Sequence, residues 1–171
     1  SQPGLTAPAS AGSLARTLGR MRDAVPEFRY ESHDGLPEAE SAIVDKGLGD
    51  FNDQAAPLHE VQALSCFVRD EHGHVIGGAI GRRWGQLCEL QQLWVEAGHR
   101  GKGLGVGLVQ QFEHHAIQKG CTSFYLETLS FQAPEFYKKL GYTVAFARAG
   151  YPHGIGKYHM VKELGGAETA A

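Results

Sequence analysis

Hydrophobic and polar positions follow a two-residue period through the first half of the chain and a helical period after it. Ala63–Asp70 has the pattern of a strand, and Glu71-His72-Gly73-His74 reads as its turn. Val75–Arg83 follows as a partner strand. Trp84-Gly85-Gln86 then turns the chain into a third strand, Leu87–Val95. These three runs predict an antiparallel meander. After Gly105 the period changes: Leu104, Leu108, Val109, Phe112 and Ala116 share one helical face. Gln110, Gln111, Glu113, His114 and Gln118 share the other, and Gly120 is the expected stop. Ser123–Leu129 returns to strand, Ala133–Leu140 is a short helix closed by Gly141, and Tyr142–Ala147 and Lys157–Val161 are strands. Upstream, a short strand is expected at about Glu27–Ser32 and helical stretches from about Leu36 to Asn52. The chain is mixed α/β, with an antiparallel front half and a strand–helix–strand unit in the middle.

Composition narrows the function classes. At 171 residues, the chain fits one domain, expected here over residues 25–165, with tails at 1–24 and 166–171. The N-terminal stretch is rich in Ser, Ala, Gly and Pro, with Arg16, Arg20 and Arg22 but no apolar core of a signal peptide, and it reads as flexible. A net charge of −3 argues against a broad basic surface for nucleic acid. No apolar run nears the ~18 residues of a membrane span, which argues against a membrane partner. Cys66, Cys88 and Cys121 form an odd set without metal or redox spacing, consistent with reduced thiols in a cytoplasmic protein. The histidines His72/His74 and His114/His115 lack the spacing of a metal site, so no metal is expected. Residues 31–60 hold eight acids against Lys46 alone. They read either as solvated helices or as a negative field that receives a cationic substrate.

The chemistry concentrates in Leu93-Trp94-Val95-Glu96-Ala97-Gly98-His99-Arg100-Gly101-Lys102-Gly103-Leu104-Gly105. A strand ends, a polar turn follows, and glycines open an amphipathic helix. The first N–H groups of a helix lack internal acceptors, and the helix dipole adds partial positive charge there. Glycines let a ligand approach that backbone closely, so the stretch predicts an anion site for phosphate or pyrophosphate. A Walker loop fails for want of Gly-Lys-Ser/Thr. A Rossmann loop fails because counting from Gly101 or Gly103 puts Val106 or Leu108 at the last glycine.

Arg100-x-x-Gly103-x-Gly105 does resemble the Arg/Gln-x-x-Gly-x-Gly/Ala loop with which the GNAT superfamily of N-acetyltransferases wraps the pyrophosphate of acetyl-CoA. Some thirty residues on, Ala133-Pro134-Glu135-Phe136-Tyr137-Lys138-Lys139-Leu140-Gly141-Tyr142 is similar to that family's A-x-x-[FL]-Y-x-x-x-G-[FY] helix. The resemblance runs from about Ala63 to Leu164. It implies a central, mostly antiparallel sheet flanked by helices, with splayed strands forming the acetyl-CoA site. Leu93, Trp94 and Val95 would receive the pantetheine arm, and Arg100, Gly101, Lys102, Gly103, Leu104 and Gly105 the pyrophosphate, with Phe136 nearby. Ser130 stands where many members carry a cofactor-touching Asn; it can still hydrogen-bond but reaches less far. Tyr151-Pro152-His153-Gly154 and Lys157-Tyr158-His159-Met160 look like the last hairpin of a bacterial subgroup.

Acetyl transfer to an amine needs a proton acceptor for the ammonium and a proton donor for the leaving thiolate. The resemblance gives the donor role to Tyr137, a phenol that stays protonated at neutral pH. Glu89 lies six residues before Val95, where the histone-acetylating branch keeps a catalytic glutamate. Alternation would set Glu89, Gln91, Leu93 and Val95 on one strand face. An ordinary salt-bridged strand glutamate is an equal reading of Glu89, with Glu127 or ordered water in reserve as base. Glu127 and Tyr151 are the candidate acceptor-lining residues. No evident nucleophile lies beside the loop, which favours direct transfer over an acetyl-enzyme. The expected acceptor is a small, cationic primary amine such as a polyamine or aminosugar. A protein or peptide amine and a catalytically silent acyl-CoA sensor are the alternatives. Related proteins are often dimers, so a homodimer is a further expectation.

Overall fold

The computed structural model describes residues 28–165. The expected tails at 1–24 and 166–171 therefore lie outside the described residues, as does Glu27 of the expected first strand. Residues 28–32 form no strand, and Phe28 and Tyr30 are exposed. A strand needs a partner edge to hydrogen-bond, and these residues have none that pairs with them. The helical region is one helix, α1 (Glu38–Ala55), which carries the acids Glu38, Glu40, Asp45, Asp50 and Asp53. Two compact units divide between Lys46 and Gly47. The first holds the start of α1, and the second holds everything that follows.

In the second unit, β1 (Gln62–Arg69), β2 (Val75–Trp84) and β3 (Leu87–Val95) form the expected meander. Helix α2 (Leu104–Gln118) crosses to β4 (Ser123–Leu129), which pairs parallel to β3. Helix α3 (Pro134–Lys139) leads to β5 (Thr143–Arg148) and β6 (Lys157–Glu163). The six-stranded sheet runs β1-β2-β3-β4-β6-β5, and every neighbouring pair except β3/β4 is antiparallel.

Helix α2 seals one face of this sheet. Leu108, Val109, Phe112 and Ala116 are buried against Ala79, Cys88, Leu90, Phe124, Leu126 and Met160. Each large apolar side chain buried here contributes roughly 1.5–3 kcal/mol. The helix ends where expected. Gly120 takes a left-handed φ of 91°, its N–H returns to the Ile117 carbonyl, and that of Cys121 returns to Ala116.

Glu113 departs from its expected place on the solvated face. It is buried, accepts the Tyr142 hydroxyl at 2.8 Å and pairs with Lys162 Nζ at 2.7 Å. A carboxylate survives there because both partners neutralise and solvate it in place of water.

The second departure is on β3. Ile80 pairs with Gln92 but Gly81 pairs with Leu90, so Gln91 is an extra residue in a bulge. A bulge reverses the alternation beyond it. Cys88 and Leu90 face the core before it, and Leu93 and Val95 pack on the core after it. Glu89 therefore lies on the opposite face from Leu93 and Val95, not on a common one. Only glycine fits opposite the bulge: a Cβ at Gly81 would lie 1.9 Å from the Glu89 carbonyl oxygen and 2.8 Å from Phe112.

Candidate active site

The site follows from the one parallel pairing. β3 and β4 are joined only at Leu87/Ser123, Cys88/Phe124 and Glu89/Tyr125, although both strands continue well past those residues. Beyond Glu89 they separate and open a wedge in the sheet. A cavity of about 880 Å³ fills the wedge and reaches the start of α2. Of the expected residues, Leu93, Trp94 and Val95 line its β3 wall, and Arg100, Gly101, Gly103, Leu104 and Gly105 line its helical end. Phe136, Tyr137 and Glu127 complete the set of expected residues in its walls.

The glycine loop has the geometry an anion needs. Gly101 and Gly103 have φ of 76° and 80°, left-handed values that turn the backbone into the helix mouth. A Cβ on either would meet nothing within 4 Å, so the space in front of the loop is open. The first α2 hydrogen bond that returns to the cap is Gly107 N–H to the Gly103 carbonyl, at 3.0 Å. The preceding N–H groups of the turn have no acceptor inside the helix. Arg100 supports the strand end, donating from Nε to the Val95 carbonyl at 2.9 Å. The loop thus offers open space and helix N-terminal donors to an anion, and the wedge cavity runs up to it.

Tyr137 is set by the end of α3. The chain leaves that helix through Gly141, at φ 95°, with return hydrogen bonds from Gly141 to Lys138 and from Tyr142 to Tyr137, both at 3.1 Å. An apolar contact between the two flanking residues usually accompanies this ending. Here it is Tyr142 meeting Tyr137 edge-on, with ring centroids 5.9 Å apart. Burial pushes the Tyr137 phenol up from its usual range, so it holds its proton in the cavity wall.

A second cavity, of about 270 Å³, shares the wall formed by Gln91, Glu127, Thr128 and Gln132 and is completed by Glu89, Leu90, Leu129 and Lys157. Both candidate bases border it. Glu89 is held by Arg82, whose Nε donates to Oε2 at 2.7 Å. The neighbouring Tyr125 phenol is pushed up, first by burial and then by the Glu89 charge. Glu127 is more open, with Lys157 Nζ at 3.6 Å and His159 Nδ1 at 3.8 Å.

Three expected residues are not among those lining either cavity: Lys102, Ser130 and Tyr151. The Ser130 hydroxyl is committed elsewhere, accepting the Gly156 N–H at 3.1 Å. Tyr151 stands beneath Lys157, whose Nζ is 5.9 Å from the ring centroid. Gln91, Thr128, Gln132 and His99 line the main cavity without having been singled out in the sequence. The adjacent Gln91 and Gln92, two amides in the middle of β3, were the signal available for one of them. Cys88 is no nucleophile, since burial, and then Cys121 beside it, pushes its thiol up to about 12. Among the described residues no group of three or more His, Cys, Asp or Glu could hold a metal ion, and no helix is long and apolar enough to cross a membrane.

Comparison with known proteins agrees with this geometry. The blasticidin-S acetyltransferase of Streptomyces morookaense is 39% identical over 112 residues, covering 65% of this chain and 80% of that protein. An acetyltransferase of Agrobacterium fabrum is 29% identical over 106 residues, covering 62% and 77%. The crystal structure of an acetyltransferase from Bacillus cereus ATCC 14579 superposes with a TM-score of 0.67 at 28% identity, covering 78% of this chain and 98% of that one. Residues 25–142 match the acetyltransferase (GNAT) family as a whole. That span takes in the helix preceding the meander, the meander, the loop, the wedge and the Tyr137 helix, and the chain belongs to this family of acetyltransferases.

Proposed function

We propose that the protein transfers the acetyl group of acetyl-CoA directly to the primary amine of a small acceptor, and that this amine arrives protonated as an ammonium group. The observation that carries this reading is the pairing of two cavities across one wall. A large one has the glycine loop and the α2 N-terminus at its far end, and a small polar one bordered by two carboxylates adjoins it. Members of the family generally take acetyl-CoA as co-substrate, and the first cavity suits it. The second, at about 270 Å³, has room for a small amine. A relative named for a small antibiotic acceptor, the blasticidin-S enzyme, supports the same class.

In this reading the α2 N-terminus, Arg100, Gly101, Gly103 and Gly105 hold the pyrophosphate, and the wedge face of Leu93–Val95 receives the pantetheine arm. When bound, acetyl-CoA supplies an activated thioester acyl group. Tyr137 holds a proton on its phenol oxygen for the leaving sulfur. Glu89 or Glu127 accepts the ammonium proton, directly or through water, and thereby frees the amine lone pair. The odd number of cysteines supports a reducing, cytoplasmic setting.

The test is CoA release measured across a panel of small amines, peptides and protein substrates. Turnover on small primary amines is the expected result. Tight acetyl-CoA binding without turnover on any amine would mean a sensor instead.

A further inference from the structure

We infer that the smaller cavity is a receptor for a zwitterion: an acceptor that carries a carboxylate a few bonds from its amine, with Lys157 holding the carboxylate and Glu127 the ammonium. This rests on the reading of that cavity as the acceptor site and adds the chemical class of the acceptor.

The argument is one of charge balance. The site has two acids, and each already has a cation. Arg82 is bound to Glu89 at 2.7 Å, and Lys157 lies 3.6 Å from Glu127. An acceptor bearing only an ammonium group would add an uncompensated positive charge and set it beside Lys157 Nζ. Like charges at such range repel, at a cost in binding. An acceptor bearing both groups keeps the cavity neutral and turns the Lys157–Glu127 pair into an alternating set of four charges.

The geometry favours the same pairing. Lys157 and Glu127 sit on adjacent strands, diagonal to one another on one sheet face, in the register Leu129/Lys157 and Glu127/His159. Both line the cavity. Their side chains are 40% and 54% exposed, so each can turn from its partner to a ligand without leaving a buried charge unpaired. The Tyr151 ring also lies against Lys157, with Nζ 5.9 Å from its centroid, a cation–π contact that steadies the ammonium. With only 3.6 Å between the two charges, the acceptor's own charges should be separated by a short linker, on the scale of β-alanine or γ-aminobutyrate.

The experiment uses matched acceptors: β-alanine against β-alaninamide, and γ-aminobutyrate against γ-aminobutyramide. Turnover is followed as CoA release, and binding to the CoA-loaded protein is followed by calorimetry. The wild-type protein should favour each acid over its amide by on the order of tenfold in kcat/KM, as a partly desolvated charge pair provides. Lys157→Gln should abolish that preference through the acceptor KM and leave the KM for acetyl-CoA unchanged. Lys157→Arg should retain it. Equal use of acid and amide by the wild type, or an equal loss for both in Lys157→Gln, would overturn the assignment. If no amine is acetylated at all, the acetyl-transfer reading fails. Calorimetry then decides the carboxylate site separately, and equal or absent binding of acid and amide would overturn it too.

Discussion

Tyr142 meets Tyr137 edge-on, with ring centroids 5.9 Å apart, and donates its backbone N–H to the Tyr137 carbonyl at 3.1 Å. On its other side the Tyr142 hydroxyl donates to Glu113, which Lys162 neutralises. The candidate proton donor thus stands on a polar relay that ties α2 to β6. Replacing Glu113 with Ala leaves the Lys162 ammonium and the Tyr142 hydroxyl without their acceptor. Chemical denaturation should report a loss of roughly 2–4 kcal/mol, somewhat below that of a fully buried pair because Lys162 keeps some contact with water. A loss under half a kcal/mol, roughly the level of a neutral surface change, would show that the relay is energetically idle.

The loop assignment is tested at Gly103. Its φ of 80° costs any other residue on the order of 1–2 kcal/mol, and a valine side chain would project into the open space before the helix mouth. Acetyl-CoA at ~100 times its dissociation constant should stabilise the wild type by about 2.7 kcal/mol. A folded Gly103→Val variant should show little of that thermal shift. An undiminished shift would move the pyrophosphate elsewhere.

For Glu89 the expected sign comes from proton supply. If it takes the ammonium proton, Glu89→Gln should lower turnover by ~10²–10⁴-fold near neutral pH. The deficit should narrow as alkaline buffer supplies free amine. Superimposable pH–rate profiles for variant and wild type would hand the role to Glu127 or to water. Arg82→Met is a useful companion, since it frees the Glu89 oxygen that the guanidinium now occupies.

Tyr137→Phe removes one oxygen and keeps the ring that packs on Phe136 and Tyr142. Turnover should drop by ~10²–10⁴-fold with acetyl-CoA affinity little changed. Because burial raises the phenol's pKa above the ~10 of an exposed tyrosine, the deficit should be constant across neutral and mildly alkaline pH. The same sign applies to stability. The contribution of the neutral phenol is fully present below about pH 10 and is lost as pH rises through the folded-state value. Full activity in the variant would mean that water or the acceptor ammonium protonates the thiolate.

Local pattern alone carried much of this protein. The meander, α2 with its glycine mouth, and the end of α3 at Gly141 were legible because each depends on residues within a few positions of one another. Helical periodicity, left-handed glycines and turn residues are short-range physics. The order of loop and Tyr137 helix was legible for the same reason, and with it the family resemblance.

What the tertiary structure alone decided depends on partners far along the chain. Glu113 reads as a solvent residue on a helical wheel. Its buried role is set by Tyr142 and Lys162, 29 and 49 positions away. The bulge at Gln91 needed knowledge of β2, where Gly81 leaves no room for a side chain beside the Glu89 carbonyl, and it reversed the side on which Glu89 lies. The strand expected at Glu27–Ser32 had the local composition but no pairing edge at residues 28–32. The neutral walls Gln91 and Gln132, and the meeting of Lys157 with Glu127, arise where β3 and β4 part and β6 joins. Sequence periodicity reports which way a side chain faces relative to its own element, whereas a site is made by which elements come to face each other.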